Sequence, residues 1–182
     1  MSDLPASRAL LVDAFGRAQE QMQELTATLP DDLAGYRPDR EANSIAWLLW
    51  HLTRIQDDHV AGLAGIEQVW PAWRERFGLP FPVDDTGYGH TADQVSQVRA
   101  DGELLGGYYA EVHAATLRYL DGLTAEELER VVDTRWDPPV TAAVRLVSVI
   151  GDVMQHLGQA AYVRGLAERR ARAWREPSAA DH

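Results

Sequence analysis

The sequence predicts an all-α protein, a four-helix bundle with long connecting loops. Four long segments repeat apolar residues at the spacing of an amphipathic helix, and proline, glycine and short polar clusters separate these segments. The 182 residues contain neither a repeat of fixed period nor an alternation of strands and helices, so a nucleotide-binding α/β fold is not expected. Four helices joined by two short and two longer connections favour a bundle.

The first two helices are predicted at Leu4–Leu29 and at Ile45 to about Gly62. A proline ends the first helix, and the polar stretch 30–38 is predicted to be a loop. Asn43 or Ser44 is suited to cap the second helix, because a short polar side chain there can accept a hydrogen bond from a free backbone N–H group.

A long loop, Gly65–His90, follows the second helix and is predicted to hold a short helix around Trp70–Phe77. A loop of this length inside a compact domain is usually functional. The third helical region is predicted from Thr91 to Leu120, with a bend near Asp101–Gly102.

The last third of the chain predicts a short helix capped by Thr124, an extended stretch at 131–141 and a fourth long helix from about Thr141 to Arg172. One domain should therefore cover residues 1–175. The tail, residues 176–182, is expected to be disordered.

The composition excludes several classes of function. A net charge of −11 with no extended basic cluster argues against nucleic-acid binding. No uncharged apolar run reaches the roughly 18 residues that a membrane helix needs, and the N-terminal layout is unlike that of a signal peptide, so a cytoplasmic protein is expected. The chain has no cysteine, which excludes disulfides, thiolate metal ligands and a cysteine nucleophile. Any thiol chemistry would need a small-molecule thiol.

An acid and an imidazole stand four residues apart in the fourth helix, at Asp152 and His156. Residues at this spacing project from one helix face about 6 Å apart along the axis, so both could meet one ion. The pair alone is also compatible with a structural role and no metal, in which Asp152 forms a hydrogen bond to His156 or an ion pair with Arg145 or Arg164.

A third candidate ligand lies on the second helix. His51 shares a stripe with apolar residues that should face the bundle interior, and bundles build metal sites from inward-facing groups on neighbouring helices. Two imidazoles and a carboxylate with open positions suit Zn²⁺ first, and also Ni²⁺ or Fe²⁺. Spacing alone does not bring the two helices together.

The segments "WLLWHLTRIQDDH" (47–59) and "DVMQHLGQAAYVRG" (152–165) together resemble the DinB-like superfamily. This group of four-helix bundles includes mycothiol-dependent maleylpyruvate isomerase and the bacillithiol S-transferases. The resemblance implies a metal triad formed by one histidine of the second helix and two ligands of the fourth. His51 and His156 match two of these positions. Asp152 stands where many members have histidine and where the isomerase branch has glutamate.

The resemblance also implies a function: transfer of a low-molecular-weight thiol to an electrophilic small molecule. All 17 basic residues are arginine, which is compatible with a GC-rich actinobacterial genome and therefore with mycothiol as the thiol. Maleylpyruvate-type isomerisation is a variant of the same chemistry. Two further classes stay open: a non-catalytic, stress-related metal-binding bundle, and a hydrolase in which Asp58 or His59 acts as the base for a metal-bound water.

Four residues are predicted to contact the substrate, at the edge of the triad or in the long loop: His59, Gln159, Arg164 and Trp70. The expected partners are a small-molecule thiol and an electrophile. Helical bundles with exposed apolar faces commonly dimerise, so a homodimer is also expected.

Overall fold

The structure, a computed structural model, describes residues 4–175, with side chains described as far as residue 172. The all-α prediction is confirmed. The elements are α1 (Leu4–Ala27), α2 (Asp31–Ala34), α3 (Ile45–Ala64), α4 (Trp70–Phe77), α5 (Ala92–Gln97), α6 (Gly102–Asp121), α7 (Ala125–Glu129), β1 (Val131–Asp133), β2 (Val140–Thr141) and α8 (Ala142–Arg175). The predicted disordered tail, 176–182, lies outside the described residues.

The four long helices α1, α3, α6 and α8 form the bundle. Helix α3 packs most extensively against α8 and also against α6, while α1 packs against α6 and α8. Each long helix therefore contacts two of the other three around a shared core, which includes Phe15, Met22, Leu49, Trp50, Leu105, Tyr109, Leu146, Val153 and Leu157. The pair α3–α8 carries all three predicted metal ligands.

The predicted helix ends agree with the structure where a side chain makes the cap. The hydroxyl of Ser44 accepts a hydrogen bond from the backbone N–H of Trp47, and Thr124 caps α7 in the same way. The bend predicted near Asp101–Gly102 is a break between two helices, because the Asp101 carboxylate caps a new helix.

Two details differ from the prediction, and the predicted extended stretch proves more regular than expected. Helix α1 ends at Ala27, two residues early. Residues 31–34, predicted to be loop, form the one-turn helix α2. The extended stretch forms an antiparallel hairpin of β1 and β2, so its backbone groups pair with each other.

A buried polar network ties the long loop to α3. The Asp57 carboxylate accepts hydrogen bonds from the backbone N–H groups of Val69 (2.9 Å) and Trp70 (2.8 Å) and from the Tyr108 hydroxyl (2.8 Å). The guanidinium of Arg54, 3.6 Å from this carboxylate, is fully buried. Burial raises the pKa of Asp57, and these donors and Arg54 oppose that change. The loop is thus anchored at its start by α3 itself.

No helix within residues 4–175 combines the length and the apolar character that crossing a membrane requires.

Candidate metal centre

Helices α3 and α8 bring the three predicted ligands into one cluster. Ligand atoms of His51, Asp152 and His156 all lie within 4.8 Å of one another. The two imidazole rings meet edge to face with centroids 4.8 Å apart, and His156 Nε2 lies 3.6 Å from Asp152 Oδ1. The aspartate reaches the cluster although its side chain is one methylene shorter than glutamate.

The orientation of His51 is set from outside its helix. Its Nδ1 lies 2.6 Å from the backbone carbonyl oxygen of Thr86, so Nδ1 carries the proton and Nε2 keeps its lone pair for the cluster. The indole of Trp47 stacks on the ring, with centroids 4.6 Å apart. Burial lowers the pKa of His51, which favours the neutral form that binds metals.

The segment 85–90 forms a tight turn over His51. Gly87 adopts φ +88° in this turn, and the Asp85 carboxylate accepts a hydrogen bond from the Gly87 N–H at 2.6 Å. The same carboxylate lies 3.1 Å from His90 Nε2, while His90 Nδ1 accepts a hydrogen bond from the Trp47 indole N–H, also at 3.1 Å. The turn that supplies the Thr86 carbonyl is therefore held to α3 by the hydrogen bond from Trp47 to His90.

His156 is oriented from within its own helix. Its Nδ1 lies 2.9 Å from the amide oxygen of Gln159, so the Nδ1–H group donates and Nε2 again faces the cluster. Metal-binding histidines commonly donate their second ring N–H to a carbonyl or carboxylate oxygen. Gln159, predicted to contact the substrate, instead contacts a predicted ligand, and its role toward a substrate stays a prediction.

The residues fit a divalent ion. Asp152 Oδ2 is buried and has no hydrogen-bond partner among the described residues, and a buried carboxylate oxygen without a partner is costly unless a cation or donor meets it. A tetrahedral zinc ion holds its ligand atoms roughly 3.3–3.5 Å apart, so side-chain movements of about an ångström would bring the three atoms onto one ion. Two imidazoles and one carboxylate are a known zinc-binding set.

His59 lies farther along the same groove between α3 and α8. Its Nε2 is 3.5 Å from Arg145 Nη1, and its Nδ1 is 3.4 Å from a carboxylate oxygen of Asp58. Burial and the Arg145 cation lower the pKa of His59. The position beside the cluster is compatible with the predicted substrate contact, which stays a prediction.

Trp70 and Arg164 lie in other surroundings. The Trp70 ring is buried, packs against Trp50 and Tyr108, and carries the Arg54 guanidinium 5.1 Å from its centroid. Arg164 donates hydrogen bonds to backbone oxygens at the end of α1, including that of Leu25 at 2.8 Å. Both residues make structural contacts in these positions, and their predicted substrate contacts stay predictions.

Comparison with known proteins identifies the family. The sequence matches the DinB superfamily over residues 14–160. The chain belongs to the DinB superfamily. The fold is also similar to the crystal structure of a conserved protein of locus from Enterococcus faecalis, with a TM-score of 0.79 and 37% identity over 86% of this chain and 94% of that chain. No curated protein matches the sequence.

Family membership and the His-Asp-His cluster together describe a DinB-like protein whose site is compatible with a divalent metal ion. The sequence predicts the three cluster residues of this DinB protein but does not predict the turn that orients His51. The available signal was the string "DDTGYGH" (84–90), in which two glycines and a histidine end the loop. Glycines spaced this closely indicate a backbone that needs positive φ or a close approach.

Proposed function

We propose that this protein is a divalent-metal-dependent S-transferase, which joins a low-molecular-weight thiol of the mycothiol type to an electrophilic small molecule. One observation carries the proposal: both histidines of the cluster have Nδ1 engaged by an oxygen, which leaves their Nε2 atoms free for an ion, and ligand atoms of His51, Asp152 and His156 all lie within 4.8 Å of one another. The absence of cysteine from the chain supports a thiol that arrives as a co-substrate.

In this proposal His51, Asp152 and His156 hold the ion. Three protein ligands leave at least one coordination position open, and an ion so placed lowers the pKa of a bound thiol and supplies a thiolate near neutral pH. The chain itself contributes the orientation. Thr86 and Gln159 fix the two imidazole rings, and the turn at 85–90 supplies the Thr86 carbonyl that holds His51.

The overall change is a substitution or an addition at an electrophilic carbon. In a substitution, the sulfur forms a new bond to carbon, the leaving group departs with its electron pair, and the thiol proton passes to the leaving group or to solvent. In an addition, the sulfur bonds to one carbon of an electrophilic double bond, the π bond breaks, and the neighbouring carbon takes up a proton in place of the one lost by the thiol. Zinc is the metal that we propose first, with nickel or iron as alternatives for this donor set. The cytoplasm is the matching compartment, because small thiols are kept reduced there.

The first test is elemental analysis of the tag-free protein beside His51→Ala and His156→Ala variants. About one equivalent of metal in the parent, lost in both variants, is the expected result. His113→Ala is the matched control, because His113 is a half-buried histidine of α6 outside the cluster and its loss should leave the metal content unchanged. No metal in the parent after reloading would refute the proposal.

The second test separates transfer from the other two classes. Chlorodinitrobenzene is offered to the metal-loaded protein with mycothiol, with bacillithiol or with no thiol. Consumption that depends on a thiol supports transfer, and a preference for mycothiol identifies the co-substrate. Hydrolysis of ester substrates without any thiol would indicate a metal-dependent hydrolase, and bound metal without either activity would indicate a metal-binding protein.

A further inference from the structure

A polar cavity of about 620 Å³ opens where α3, α8 and the hairpin meet, and His59 is part of its lining. We call it the arginine pocket. Its charged and titratable lining consists of Asp58, His59, Arg130, Asp133, Arg135 and Arg145. Three guanidinium groups thus line one cavity of a chain whose net charge is −11, and a concentration of cations against the overall charge favours an anionic ligand.

Two of the three arginines are already paired. Arg130 donates to both carboxylate oxygens of Glu127 and to the backbone oxygen of Leu63. Arg135 donates to both carboxylate oxygens of Asp133, at 2.9 and 2.8 Å. These guanidinium groups are engaged by carboxylates of their own neighbourhood.

Arg145 is different. Its Nη1 lies 3.5 Å from His59, and its Nη2 reaches Asp133 at 3.3 Å, a carboxylate that Arg135 already holds more closely. A guanidinium carries five N–H donors, and these two contacts use two of them. Burial and the Arg145 charge lower the pKa of His59, which favours the neutral ring beside the guanidinium. A partly buried arginine with unused donors suits bidentate contact with a carboxylate.

The position of Arg145 relates the pocket to the cluster. Arg145 precedes Asp152 by seven residues on α8, so the two share a helix face and lie about 10 Å apart along the axis. His59 of α3 lies 3.5 Å from Arg145, and the charges of both Arg145 and Asp152 act on its pKa. The pocket and the metal centre therefore lie along the same interface of α3 and α8, with His59 and Arg145 at the pocket and His51 and Asp152 at the cluster.

We propose that the arginine pocket binds a carboxylate of the molecule whose reactive atom is held at the metal centre, with Arg145 as the residue that selects it. Seven residues of helical rise, about 10 Å, separate Arg145 from Asp152, so the favoured ligand is an extended molecule whose carboxylate is remote from its reactive atom. This inference rests on the proposed function and adds a substrate class to it, namely anionic molecules of extended shape.

The test uses thiols as length-matched probes of the cobalt-loaded protein, in which thiolate binding produces a charge-transfer absorption band. The probes are ω-mercaptooctanoate, its neutral counterpart ω-mercaptooctanol, and mercaptoacetate, whose carboxylate is too close to the sulfur to reach Arg145. We expect the long acid to bind about tenfold more tightly than the long alcohol, as one charge-assisted contact gives.

Arg145→Gln should abolish this preference, and Arg145→Lys should restore part of it. Arg170→Gln, a change of an exposed arginine on the same helix, should retain it. Equal binding of acid and alcohol to the parent overturns the carboxylate site and leaves thiol binding at the metal intact. Equal weakening of both probes in Arg145→Gln shows that Arg145 only supports the fold, which also overturns the inference.

A metal-free arm keeps the inference testable if no thiol gives a cobalt band, which would count against the proposed function. Octanoate is then titrated into the metal-free protein, and the His59 ring resonances are followed by NMR. Binding that weakens about tenfold in Arg145→Gln and is unchanged in Arg170→Gln supports the carboxylate site. Identical titrations in the parent and Arg145→Gln overturn it.

Discussion

Replacing Gly87 with alanine tests how the turn at 85–90 orients His51. Gly87 has φ +88°, and an added Cβ would lie 2.9 Å from the Trp50 ring, 3.1 Å from His51 Nδ1 and 3.3 Å from the Trp47 ring. The left-handed backbone costs an alanine about 1–2 kcal/mol, and overpacking against buried rings adds about 1–3 kcal/mol. We therefore expect the free energy of unfolding to fall by about 2–5 kcal/mol.

The measurements are urea unfolding of the metal-free protein and a competition titration of metal against a chromophoric chelator. The unfolding midpoint should fall by roughly 1–2 M urea for a typical dependence on denaturant. Metal affinity should weaken about ten- to a hundredfold, as loss of a group that orients a ligand commonly produces. The second effect follows because the new methyl group presses on the nitrogen that donates to Thr86.

Gly89→Ala is the matched control. Gly89 also has positive φ, +75°, but no atom of the described residues lies within 4 Å of a Cβ placed there. The free energy of unfolding of Gly89→Ala should fall only by the backbone cost of about 1–2 kcal/mol, and its metal affinity should equal that of the parent. If the two variants lose the same stability and bind metal equally well, the turn does not orient His51 and the reasoning is refuted.

Three other properties can be tested independently. Asp57→Asn should lower the free energy of unfolding by about 3–5 kcal/mol, because it leaves the buried Arg54 cation without its carboxylate. Asp58 is partly exposed, so Asp58→Asn should change the free energy of unfolding by less than about 1 kcal/mol. Equal losses in the two variants would contradict this prediction. Burial lowers the pKa of His113, so at acidic pH the unfolded chain binds a proton at His113 more readily than the folded chain does. The free energy of unfolding of the metal-free protein should therefore be highest above about pH 6.5 and decrease at lower pH. Urea titrations across this pH range should show a smaller decrease for His113→Gln. We propose that the protein forms a homodimer, which should appear as twice the chain mass in light scattering. Val147 is exposed on α8, and Val147→Glu should convert the dimer to a monomer. A monomeric parent protein would contradict the proposal.

The sequence predicted those parts of the fold that depend on local signals. Caps at Ser44 and Thr124 follow from short-range hydrogen bonds, and the ends of the helices they begin were placed within a few residues. The one-turn helix at 31–34 was missed because four residues are too few to show a periodicity.

The same distinction applies to the site. Asp152 and His156 could be paired from helix geometry, and His51 from its place on an inward-facing stripe together with the family resemblance. The Thr86 carbonyl could not be predicted, because every residue carries such a group and only the path of the loop brings this one to His51. The contact between Arg145 and His59 likewise could not be predicted, because it depends on how α3 packs against α8.

The two helices that carry the cluster have a consequence for folding. His51 and Asp152 are about a hundred residues apart in the chain, and contacts between such distant segments form late because a long loop must close first. The half of the cluster on α8 is present as soon as that helix exists, whereas the half on α3 joins only when the bundle closes. An ion that binds all three groups therefore stabilises the completed bundle selectively, by about 4 kcal/mol at a thousandfold excess over its dissociation constant. Metal occupancy would then report how much of the protein in a cell has finished folding.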